Sequence, residues 1–61
     1  MKIKWASRNG ISKGIANVIE TKETEMATIY VLDSGASIVD GAVSAFYEME
    51  TISISVTWKI V

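Results

Sequence analysis

The 61-residue chain contains no cysteine, no histidine and no proline. Without Cys no disulfide can staple the fold, and without Cys and His the usual ligands of zinc, haem and iron–sulfur sites are missing. The same two absences close the Ser–His–Asp and Cys–His routes to an activated nucleophile. The lack of Pro removes one common protector of exposed strand edges, so any edge must be covered by charge, by closure of the sheet or by another chain. Long apolar runs are missing too, and no segment approaches the roughly 20 residues of a membrane-spanning helix. The start Met1-Lys2-Ile3-Lys4-Trp5 has the positive charge of a secretory leader, but Ser7, Arg8, Asn9 and Gly10 interrupt the apolar stretch such a leader requires. The expectation is a chain with neither signal peptide nor transmembrane segment.

What the chain does contain is β-branched apolar side chains. Hydrophobic residues make up 49%, with nine Ile and six Val against one Leu, Leu32. Mean hydropathy is +0.30, which argues against disorder. Ile and Val lose χ1 freedom in a helix and fit a pleated surface, so composition alone leans toward strand. A chain this short forms one domain, residues 1–61, and buries only about 60% of the surface its unfolded form exposes. Formal net charge is −1, but it is unevenly placed. Residues 1–13 carry Lys2, Lys4, Arg8 and Lys13 and no acid, whereas residues 14–50 hold every acid (Glu20, Glu23, Glu25, Asp33, Asp40, Glu48 and Glu50) against Lys22 alone. Such a split can orient one copy against another, or an acidic face against a basic partner.

Along the chain the clearest pattern is the last one. Ile52, Ile54, Val56, Trp58 and Ile60 alternate with Ser53, Ser55, Thr57 and Lys59, the period-two signature of a half-buried strand. Ile3 and Trp5 repeat it at the other end, so both ends are expected to be strands able to pair. Turn signals recur between them at Asn9-Gly10, Lys22-Glu23-Thr24, Asp33-Ser34-Gly35 and Asp40-Gly41, with Asn-Gly and Asp-Gly suited to left-handed hairpin positions. The expected strands are 2–8, 11–21, 25–32, 36–39, 42–49 and 51–61. The fold class is therefore all-β, a small antiparallel meander, barrel or sandwich of five to six short strands. The alternative is an α+β domain with one helix near 37–49, because Ile38, Ala42, Ala45, Phe46 and Met49 also fall at helical spacing. Ile11, Ile15, Val18 and Ile19 fit a helical face as well. Glycines 14 and 41 oppose both helices, each costing about 1 kcal/mol relative to Ala.

Few residues carry a chemical signal. Val31-Leu32-Asp33-Ser34-Gly35-Ala36 resembles the Asp-Ser/Thr-Gly-Ala motif that follows an apolar strand in retropepsin-type aspartic proteases. There each of two subunits supplies one Asp to a water-activating pair, which makes Asp33 the one candidate the resemblance implies. The match covers six residues, and the Gly-rich flap and the later apolar-apolar-Gly segment have no counterpart. The competing reading is a turn in which Asp33 caps its own backbone and Gly35 takes φ > 0. Glu48 and Glu50 read as surface charge, and Gly10-Ile-Ser-Lys-Gly14 lacks the Gly-Lys-Ser/Thr step of a phosphate loop. Trp5 and Trp58 lie in register with apolar strand faces, so they are core residues before they are stacking platforms for nucleic acid.

Association is what remains. In the middle of the chain Ala27, Ile29 and Val31 alternate with Met26, Thr28, Tyr30 and Leu32, which leaves neither face polar. The expected interaction surface comprises Ile29, Val31, Tyr30 and Tyr47. The expected function is a non-enzymatic, cofactor-free and metal-free structural protein acting by self-association, as a homo-oligomer, or by docking on a larger complex such as a viral or phage capsid, which it would decorate. Its expected location is the cytoplasm or the virion. The alternatives are a small inhibitor or adaptor that binds one host protein, and a small-barrel nucleic-acid binder.

Overall fold

The computed structural model describes all 61 residues and contains six antiparallel strands and no helix. They are β1 (Lys2–Ser7), β2 (Lys13–Glu23), β3 (Ala27–Leu32), β4 (Ser37–Gly41), β5 (Ala45–Met49) and β6 (Ile52–Ile60). Each strand pairs with the next, and β6 pairs back onto β1 to close a barrel. The two end strands meet in register, Ile3 with Ile60, Lys4 with Lys59 and Trp5 with Trp58. Closure gives the outermost strands hydrogen-bonding partners within the chain, which is how a sequence without Pro deals with its edges.

Period-two alternation sorts the side chains. Ile3, Leu32, Ala36, Ile38, Ala45 and Val56 are buried inside, and Ala16, Val18, Met49 and Ile54 pack against them with four aromatics. Trp5 on β1 stacks on Tyr47 of β5 at a centroid distance of 4.3 Å, and Tyr30 on β3 meets Trp58 of β6 at 5.0 Å. Neither pair belongs to adjacent strands, and all four rings pack on the core, so both contacts cross the barrel interior. Rings thus fill a space that short strands with one Leu cannot, each pair adding about 0.5–1.5 kcal/mol beyond its area burial.

Strand β2 is the longest and serves two neighbours in turn. Residues 13–17 pair with β1, and residues 18 and 20–23 with β3. The register shifts between Val18 and Glu20, a bulge that leaves Ile19 without a partner and lets the strand bend from one neighbour to the other. Ile15 and Ile19 point outward, with Val18 inside, so the helical face suggested by Ile11, Ile15, Val18 and Ile19 does not form. The helix weighed for 37–49 is absent as well. That stretch is the β4–β5 hairpin, in which β-branched pairing (Ile38 with Tyr47, Val39 with Phe46) outweighs the i, i+4 coincidence.

The turns depart in detail from their sequence signals. Gly10 and Gly35 take left-handed φ of 75° and 93° as expected. Asp40-Gly41, however, is the end of β4 rather than a turn. The reversal comes at residues 42–44, closed by the Gly41 N–H donating to the Ser44 carbonyl at 3.1 Å. In β6 the alternating face is inward only at its centre. Val56 is buried and Ile54 and Trp58 half-buried, but Ile52 and Ile60 lie at the barrel ends and are exposed.

Candidate docking faces of the barrel

The sites singled out by motif resolve into turn chemistry. Asp33, Ser34 and Gly35 form the tight β3–β4 connection, in which the Gly35 N–H donates to the Leu32 carbonyl at 3.1 Å and the Leu32 N–H to the Ala36 carbonyl at 2.8 Å. The Asp33 carboxylate does not cap its own backbone. It accepts from Asn17 Nδ2 at 3.1 Å, while the Asp33 N–H donates to the Asn17 carbonyl at 2.9 Å, so the pair ties the turn to β2. No three Asp, Glu, His or Cys side chains converge as a metal site would require. Gly14 faces Trp5 in register, and a Cβ there would lie 3.1 Å from the indole. Its role is to make room for the ring, rather than to approach a phosphate.

Of the four residues expected at an interaction surface, the barrel separates two from the others. Ile29 and Val31 are on the outer face of β3, whereas Tyr30 and Tyr47 have the opposite parity and pack inside with the two tryptophans. On the outside the register brings Ile29 beside Val39 of β4, and Val39 beside Phe46 of β5. The three form an apolar row across adjacent strands, with Val31 one step along the barrel between Glu20 and Ser37. Ile29, Val31 and Val39 are half-buried, and Phe46 is 38% exposed. Along the strands past Ala27 and Gly41, at one end of the barrel, the β2–β3 and β4–β5 turns present Met26 and Val43, which are 83% and 97% exposed. Alternation alone does not reveal Val39 and Phe46 as part of the face. It shows which residues share a strand face, but the cross-strand register decides which ones touch.

The diametrically opposite seam has a different character. On the outside of β1 and β6, Lys4 sits directly across from Lys59, flanked by Ile15 of β2 on the other side, and Ala6 sits across from Thr57. Lys4, Ala6, Thr57 and Lys59, together with Trp5 and Trp58, border an open groove of ≈ 340 Å³. Lys2 and Lys13 extend the outward positions of this surface, and Arg8 follows at the end of β1. Five of the six cations therefore lie on this half of the barrel, since only Lys22 is elsewhere, and β1, β6 and residues 13–19 of β2 contain no acid. Two like charges opposed across a strand pair are mildly unfavourable for the barrel itself. Glu20 and Glu48, by contrast, are exposed beside Val31 and Ser37 on the other side, where Lys22 is paired with Ile29 at the edge of the apolar row.

No family model matches the chain, and neither a curated protein nor a solved structure shows significant similarity to it. No helix is long and apolar enough to cross a membrane.

Proposed function

We propose that the protein is a non-enzymatic assembly component that self-associates through the outer face of β3, β4 and β5, and that in its biological setting it docks as multiple copies on a larger particle. A virus capsid decorated by such a subunit is one setting that suits a compact chain free of thiols and cofactors. The observation that carries the reading is the apolar row Ile29–Val39–Phe46, with Met26 and Val43 exposed at the turns that flank these strands. Apolar side chains 83% and 97% exposed at turn tips cost the isolated chain solubility and contribute nothing to its core. Nucleic-acid stacking is the second reading: Trp5 and Trp58 border the lysine groove but are half-buried, and each already packs on a tyrosine across the barrel.

Sedimentation at micromolar concentration tests the proposal. The wild-type chain should sediment as an oligomer and its thermal midpoint should rise with protein concentration, as linkage between folding and association requires. Val43→Ser combined with Phe46→Ser should reduce association while leaving the far-UV spectrum unchanged. A wild-type monomer with a concentration-independent midpoint would overturn self-association and leave a different protein as the occupant of this face.

A further inference from the structure

Resting on the self-association just proposed, we infer that the contact is heterologous: the basic β1–β6 face of one copy docks on the acid-flanked apolar β3–β4–β5 face of the next. Three observations carry this. First, the two faces are on opposite sides of a closed six-strand cycle, the β1–β6 seam facing away from the β3–β4 seam, so one copy can engage two neighbours at once. Second, their charges are complementary within a single sequence. Lys4 and Lys59 stand side by side on one face with Lys2 and Lys13 nearby, while on the other Glu20 and Glu48 lie on either side of Val31 and Ser37 and outnumber the single cation Lys22 beside Ile29. Third, the Lys–Lys opposition gives the barrel no stability of its own, whereas an acidic surface laid across the groove satisfies both ammonium groups together.

A symmetric contact, apolar row against apolar row, would set two copies of a net acidic face against each other. It would also leave the lysine seam without a partner. A standard interface takes about 800 Å² from each partner, roughly a fifth of the 4228 Å² surface of this chain. Two such faces fit on one barrel without overlapping. Head-to-tail contacts of this kind close into a ring if the rotation between copies permits, and otherwise extend as a filament.

A charge-exchange experiment decides the mode. One variant carries Lys4→Glu with Lys59→Glu, and the other carries Glu20→Lys with Glu48→Lys. All four positions are exposed, so each variant should keep the wild-type far-UV spectrum. Each alone presents like charges on both faces and should sediment as a monomer at a concentration where the wild type is assembled. The 1:1 mixture should recover assembly, and 0.5 M salt should weaken the wild-type and mixed species alike. If the Lys4→Glu, Lys59→Glu variant assembles as well as the wild type, the heterologous contact is wrong and a symmetric one through the apolar row replaces it. If the wild type is itself a monomer, the self-association reading fails first, and the two failures are told apart by that single control.

Discussion

Gly14→Ala is the most discriminating change in the barrel interior, because two opposing effects of known sign meet at one position. Replacing a strand glycine with alanine reduces the freedom of the unfolded chain and stabilises by about 0.4–1 kcal/mol where the site tolerates a Cβ. At residue 14 the new Cβ would stand 3.1 Å from Trp5 Cζ2 and 3.3 Å from both Cε2 and Nε1. The indole has little freedom to withdraw, since it is stacked on Tyr47 at 4.3 Å with the planes 26° apart, and moving it disturbs a contact that spans the core. Overpacking of this kind costs about 1–3 kcal/mol. The overpacking term wins, and a net destabilisation of about 1–2 kcal/mol follows, a large share of the roughly 3–9 kcal/mol expected of a chain this size.

Urea titration followed by far-UV circular dichroism measures the effect as a lower midpoint at unchanged slope. The decisive comparison places the same change in a Trp5→Phe background, which removes indole atoms nearest the glycine and keeps a ring for Tyr47. There Gly14→Ala should be neutral or stabilising, giving a coupling of about 1–3 kcal/mol between the two sites. An equal loss in both backgrounds would refute the claim that Gly14 exists to accommodate Trp5.

Ile38→Ala should cost about 2–5 kcal/mol, since the side chain is fully buried, whereas Ile52→Ala and Ile60→Ala at the barrel ends should each cost less than about 1 kcal/mol. Urea midpoints for the three variants check this, and similar losses for all would mean that the barrel ends are packed as tightly as its centre. Glu50 is the one non-glycine residue with positive φ, 52°, at the first position of the two-residue β5–β6 turn. Glu50→Gly should therefore raise the thermal midpoint, with a gain of about 0.5–1 kcal/mol after the extra entropy of the unfolded glycine is subtracted.

Strands were legible where one face is apolar and the other polar. Alternation in β6 and β1 identified both end strands and their capacity to pair, and pairing of those two strands is what closes the barrel. The all-β class followed from Ile and Val content together with regularly spaced turns, and six strands are present within a few residues of the expected limits. Turn positions were less legible, because Asp-Gly tolerates a left-handed turn without demanding one, and at Asp40-Gly41 the pairing of Asp40 with Thr28 and Ala45 carries the strand further. The interaction surface was half legible. In β3 both faces are apolar, so hydropathy could not say that Tyr30 turns inward and Ile29 outward. That choice is made by the ring contacts across the barrel, which link residues 28 and 42 positions apart in sequence.

The same segregation of charge that guides association also sets barrel stability against assembly, and the opposed pair Lys4 and Lys59 is where the conflict can be measured. In an isolated barrel the two ammonium groups repel across the strand pair that closes the sheet. Lys59→Glu turns repulsion into attraction at the seam, and because both groups are exposed the gain is small, about 0.5 kcal/mol, and screened by salt. The same change removes one of the two central cations of the basic face and puts a carboxylate where a neighbour's Glu20 or Glu48 would approach. Thermal midpoint measured at low protein concentration should therefore rise slightly while the oligomer seen by sedimentation at micromolar concentration weakens. A residue kept only for folding cannot give that pair of results, since its replacement by a more stabilising one would leave association unchanged or strengthen it. A higher midpoint with undiminished assembly would mean that the lysine seam faces solvent in the oligomer and that the copies meet elsewhere.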